Sequence, residues 1–210
     1  MKFLQYLFIS LSHKILKLLP YTSIRILSVP IGTLYFLLTF RSSIKLFKRK
    51  EIFNELKINY KPLIVKINYT RYWLETLWLT NKNFSKYISP HVEIENLEYV
   101  EKLKKQYPGL IFALPHLGNW EFAIPIGNSI KLNLLAVAEP LNNSYVLNWF
   151  KSLRESLGIE IIIGGKGQNT FDLLVNKLKS GKDICLLSER SIKKSGVATE
   201  FFGQLAAFPK

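Results

Sequence analysis

The 210-residue chain is poor in the residues that build covalent or metal-bound scaffolds. It has one cysteine and three histidines, and only 15 acidic residues against 29 basic ones. The lone cysteine, Cys185, excludes an intramolecular disulfide, a cysteine metal cage and a redox pair. Set in the apolar run "DICLLS", it reads as a small core hydrophobe, with no sign of an oxidising compartment. His13, His91 and His116 lie far apart without ligand spacing, so no zinc site is expected. The shortage of acids leaves a net charge of +14, which attracts polyanions: nucleic acid, anionic membrane or phosphorylated substrates. No RRM, helix-turn-helix or zinc pattern accompanies that charge, so no nucleic-acid partner is expected. "GGKG" (164–167) lacks the G-x-x-x-x-G-K-[ST] frame of a nucleotide-triphosphate loop. It reads as a turn whose backbone amides and Lys166 can meet an anion. No low-complexity linker divides the chain.

What is present is apolar: 48% hydrophobic and 13% aromatic residues, enough for one domain with a real core and an appended terminal segment. Residues 1–66 form an N-terminal, amphipathic and basic region. Leu4, Leu7, Phe8, Leu11, Ile15 and Leu18 recur at helical spacing, and Pro20 is expected to end that segment. Lys14 and Lys17 interrupt the run and no small-residue cleavage site follows, which argues against a signal peptide. The next apolar stretch, "VPIGTLYFLLTF", falls short of the roughly 20 residues of a spanning helix. The region is read as helices at a membrane interface, with two core helices of a soluble domain as the alternative. Residues 41–66 mix Lys and Arg with Ile, Leu and Phe, which suits an anionic lipid surface or a solvated helix face. "YTRYWLETLWL" (69–79) reads as a buried helix with Arg71 and Glu75 at i,i+4.

After residue 90 the pattern changes. "GLIFALP" (109–115), "NLLAVAEP" (133–140), "IEIII" (159–163) and "DICLLS" (183–188) are short apolar runs. Helical patterns separate the last three: Val146, Phe150, Leu153, Leu157, then Phe171, Leu174, Val175, Leu178. This alternation predicts an α/β domain over 67–210, with a mostly parallel sheet, flanking helices and its chemistry beyond the carboxyl ends of the strands.

At the end of the first strand stands "LPHLGNWEFA" (114–123). His116 and Glu121 can converge only if a helix starts after the histidine, because residues five apart in one helix point about 140° away from each other. Gly118 supplies a turn and Asn119 an N-cap. Glu121 then falls in the first turn, where its carboxylate can support an imidazole acting as a base. A capped helix with no catalytic role fits the same residues. Glu139 follows the second strand and shares that edge, or is simply an exposed loop residue. Arg154, on the helix 142–157, pairs with a nearby acid or faces solvent. Glu189 and Arg190 close the fourth strand, as site residues or as an ion-paired turn.

"LPHLGNWEFA" resembles the H-x4-D/E motif of glycerolipid-type acyltransferases. Its form His-x-Gly-Asn-Trp-Glu is similar to the lipid A lauroyl / phosphatidylinositol mannoside acyltransferase family. "YTRYWLETL", "VEIENLEYV", "AEPLNNSYVLNWFKSLRESLGIEII", "LLSERS" and "EFFGQLAAFPK" agree with it, so the resemblance covers most of 65–210 and lies closer to the mannoside-acylating branch. It implies transfer of a fatty acyl group from acyl-CoA to a hydroxyl of a membrane glycolipid, without a cofactor, at the cytoplasmic face of the plasma membrane. An acyl carrier protein with a lipid A-type acceptor is the alternative, and an inactive membrane-bound fragment is another. The resemblance makes His116 the general base, with Glu121 and Glu189 serving it. It places Glu139, Arg154 and Arg190 at polar substrate groups. Ser191 stands where the family usually carries an acid, and the chain stops at "AAFPK" where the family sequence normally continues, which suggests a shortened product.

Overall fold

The computed structural model describes residues 1–40, 61–164, 169–188, 196–201 and 203–208. Glu189, Arg190, Ser191, residues 165–167 of "GGKG" and most of the basic stretch 41–66 lie outside the described residues. Two compact units divide the chain: Leu7–Pro90, and His91–Lys210 together with Met1–Tyr6. Residue 66, where the sequence suggests a boundary, lies inside a helix of the first unit.

The first unit is helical. Helix α1 (Lys2–Leu16) begins in the other unit and continues here, followed by α2 (Tyr21–Leu38), α3 (Pro62–Trp78) and short helical turns through His91. Pro20 does mark the break after α1, and with its φ of −67° it leads directly into α2. The carbonyls left over where α1 ends find donors on later residues. Asn83 Nδ2 donates to Lys17 O at 2.9 Å, and Trp78 Nε1 donates to Leu19 O at 2.9 Å. Ile24, Ser28 and Gly32 fall on one buried stripe of α2. A Cβ at Gly32 would lie 2.7 Å from Ile67 Cα, so glycine is what lets α2 and α3 approach so closely.

α2 starts well before the apolar stretch that the sequence suggested and runs straight through Arg25 and Pro30. Its eighteen residues, with a mean hydropathy of 1.3, are long and apolar enough to cross a membrane by length and composition. In α3, Thr70, Glu75, Thr76 and Trp78 are buried, whereas Tyr69 and Trp73 are exposed, so only one face of this helix is core. Burial, together with the 2.8 Å hydrogen bond that Tyr21 Oη donates to Glu75, pushes the Tyr21 hydroxyl up to about 12.

The second unit is α/β, as the alternation of strands and helices predicts. After α4 (Leu97–Gln106) come β1 (Ile111–Leu114), α5 (Ala123–Ser129), β2 (Leu134–Ala138), α6 (Ser144–Leu157), β3 (Glu160–Ile163), α7 (Thr170–Lys179) and β4 (Asp183–Leu187). The four strands form one parallel sheet in the order β1-β4-β2-β3. An antiparallel hairpin, β5 (Val197–Phe201) and β6 (Gln204–Phe208), follows. Leu135, Ile161 and Ile184 from the strands meet Ile124, Leu153 and Leu157 from the helices in the core. Cys185 sits inside β4, where burial and the neighbouring Asp183 push its thiol up to about 11, so it is a packing residue.

The amino ends of the strands are tied by a buried carboxylate that the sequence reading did not single out. Asp183 opens β4 with no exposure at all. It accepts from Lys104 Nζ at 2.9 Å, from Leu110 N at 3.0 Å and from Asn133 N at 2.8 Å. One side chain thus joins the end of α4 to the entries of β1 and β2. Beside it, Glu160 takes Lys177 at 2.7 Å and Lys182 at 2.8 Å. With that edge committed to structure, the opposite edge carries the exposed loops.

Candidate active site

The loop after β1 is shaped by three adjacent local devices. Pro115 O accepts from Leu117 N at 2.8 Å, which closes a three-residue turn with His116 at its apex. Gly118 follows at φ +59°, a conformation that costs other residues. Asn119 then caps the next turn, its side-chain oxygen accepting from Glu121 N at 3.1 Å. The helix start that the sequence suggested is a 3-10 turn, Trp120–Phe122, which leads into α5. The result is a sharp change of direction that leaves His116 exposed and puts Glu121 1% exposed, five residues on.

The His116 imidazole packs edge to face on Trp120, with ring centroids 4.6 Å apart and planes at 84°. The Glu121 carboxylate is directed at Arg154. Arg154 Nη2 donates to Oε1 at 2.6 Å and Nε donates to Oε2 at 3.1 Å, a two-pronged ion pair of the strongest geometry available to these groups. The Phe150 ring, one turn earlier on α6, lies 5.7 Å from the guanidinium. With Glu121 buried and Arg154 partly so, the two charges fix the turn after His116 to α6.

Among the residues singled out from sequence, the structure therefore joins Glu121 to Arg154 and sets His116 against Trp120. The pairing of Arg154 with an acid is the first of the two alternatives its position allowed. Glu139 is exposed just beyond β2, on the same carboxyl edge as His116. Asn143 was missed. It is 9% exposed, caps α6 by accepting from Val146 N, and donates to Lys2 O at 2.9 Å and to Gln5 Oε1 at 3.0 Å. The "NNS" that precedes the periodic apolar run of α6 carries the signal for the cap, though not for the second contact.

An exposed histidine at the carboxyl edge of a parallel sheet, followed by a turn anchored through a buried glutamate, defines a class of site suited to proton transfer at a bound substrate. The chain belongs to the bacterial lipid A biosynthesis acyltransferase family, whose model matches residues 2–210. It is 30% identical over 146 residues to the phosphatidylinositol mannoside acyltransferase of Mycolicibacterium smegmatis, a match covering 68% of this chain and 47% of that protein. The phosphatidylinositol mannoside acyltransferase of Mycobacterium tuberculosis is 30% identical over 145 residues, 68% of this chain and 46% of its own length. The chain thus spans about half the length of the curated relatives it matches.

Proposed function

We propose that the protein transfers a fatty acyl group from a thioester to a hydroxyl of a membrane glycolipid, with His116 as the general base. The observation that carries this reading is the placement of His116: exposed at the carboxyl edge, held against Trp120, and followed by a turn locked through Glu121 and Arg154. An imidazole nitrogen takes the proton of the acceptor hydroxyl as its oxygen attacks the thioester carbonyl carbon. The carbon–sulfur bond then breaks, and the imidazolium returns the proton to the leaving thiolate, leaving ester and free thiol. No cofactor is needed for this sequence. Glu121 and Arg154 act as positioning residues, since their ion pair fixes the turn that presents His116. Glu139, on the same edge, and Arg190 are assigned to polar groups of the substrates, and Glu189 to support of the base.

Acyl-CoA is the proposed donor and a phosphatidylinositol mannoside-type lipid the proposed acceptor, by likeness to the mycobacterial relatives. The place of work is the cytoplasmic face of the plasma membrane. Two features support a lipid surface: the net charge of +14 and the exposed apolar stripe of α1, in which Leu4 is 65% and Phe8 72% exposed. The family description, lipid A biosynthesis, supports a second reading with a lipid A-type acceptor, for which an acyl carrier protein is the alternative donor. The test offers both donors to both acceptors and identifies the acylated lipid by mass spectrometry. Product from acyl-CoA and the mannoside supports the first reading, product with the carrier protein alone supports the second, and no product in any combination means an inactive fragment.

A further inference from the structure

We propose that Asn143 latches the first turn of α1 to the carboxyl edge of the sheet, so that a lipid bilayer meets both as one continuous surface. This rests on the membrane-surface reading above and adds which residues define the surface and what holds it together. By topology, the loop leaving β2 and the start of α6 lie on the same edge as His116, because β1 and β2 run parallel in one sheet. That edge is lined with apolar side chains that no core requires: Leu117 is 75% exposed, Leu141 46% and Tyr145 52%. The first turn of α1 adds Phe3, 55% exposed, and Leu4. It also carries Lys2, a charge that an anionic headgroup layer attracts.

The two parts are stitched by a polar and an aromatic contact. Asn143 spends its side-chain oxygen on capping α6 and its side-chain nitrogen on Lys2 O and Gln5 Oε1. Around it, Tyr145 packs against Phe3 at 5.8 Å and against Tyr6 at 6.1 Å between ring centroids. Capping alone needs only the oxygen. The buried nitrogen donates solely to α1 among the described residues, so the choice of asparagine is explained by the latch. Apolar side chains on both sides of a fixed joint then enter the interface together, which brings the loop of His116 to the depth of a lipid headgroup.

The test needs no turnover. A polarity-sensitive fluorophore is attached through Leu4→Cys or through Leu117→Cys, with Cys185→Ala to leave one reactive thiol. Vesicles of equal parts phosphatidylglycerol and phosphatidylcholine are then added. Both probes should shift to the blue. Asn143→Asp keeps the capping oxygen and removes the donor. It should leave the Leu4 probe shift intact and at least halve that of the Leu117 probe. Tyr145→Ala, which removes the aromatic half without touching the cap, should do the same and serves if the first variant fails to fold. A Leu117 probe that does not respond to vesicles in the parent chain overturns the proposal, as does a response that both variants leave unchanged. Failure of acyl transfer with these shifts intact would overturn the proposed function and leave the latch standing.

Discussion

Arg154 grips Glu121 with two nitrogens, at 2.6 and 3.1 Å, across 33 residues of sequence, and the carboxylate it holds is almost wholly buried. Removing one member of such a pair strands the other charge out of water. Arg154→Met should therefore destabilise the fold by about 3 kcal/mol or more, whereas Glu121→Gln with Arg154→Met together should cost less than the sum of the singles. Chemical denaturation of the four chains of that cycle measures the coupling. Arg154→Lys keeps the charge but not the fork, and should lower kcat more than KM if the pair positions His116.

Gly118 stands at φ +59°, and among the described residues beyond its chain neighbours no atom lies within 4 Å of where a Cβ would be. Its constraint is therefore conformational and not steric. Gly118→Ala should cost about 1–2 kcal/mol and slow the reaction by displacing His116, while Gly118→Asn, which tolerates this region, should recover most of both. Thermal melts and initial rates on the two variants separate conformation from space.

Asp183 lies at the edge of the sheet away from the chemistry. Asp183→Asn removes a buried charge from Lys104 and sets an amide group against donors on Leu110 and Asn133. A loss of about 3 kcal/mol is expected, with the rate per folded molecule unchanged. Activity normalised to the folded fraction distinguishes this role from a catalytic one.

Glu160 gives a pH signature. Hydrogen bonds from Lys177 and Lys182 hold its carboxyl below the ordinary value of 4.5. Over the interval between the two values the unfolded chain binds more protons than the folded one, so stability rises with pH there. The contribution is complete above the unfolded value and is lost as pH falls through the folded one. Wild type should be more stable than Glu160→Gln at neutral pH, and denaturation curves should converge as the solution is acidified.

The strands were the legible part. "IFAL", "LLAVA", "EIII" and "DICLL" are short, mostly apolar runs set among amphipathic helices, the pattern of parallel strands. The order β1-β4-β2-β3 is not written locally, since it depends on which strand faces pack best. Around the site, Gly118 and Asn119 announced the turn through local propensity alone. The partner of Glu121 was invisible for the opposite reason: ion pairs between a loop and a distant helix leave no spacing in the chain. Asp183 escaped notice because an acid at the first position of an apolar strand looks like an ordinary boundary. The extent of α2 was misjudged because Arg25 seems to interrupt it, yet Arg25 is exposed beside the buried stripe of Ile24, Ser28 and Gly32 and does not break the helix.

The role proposed for His116 is to supply the base for acyl transfer. It is tested most directly by the rate of palmitoyl transfer from palmitoyl-CoA to a mannosylated phosphatidylinositol in anionic vesicles, for wild type and His116→Ala. Because the side chain is exposed, the substitution should leave the melting temperature within a degree or two and lower the rate by about 100-fold or more. A folded His116→Ala chain that acylates the lipid as fast as wild type would mean that His116 is not the base.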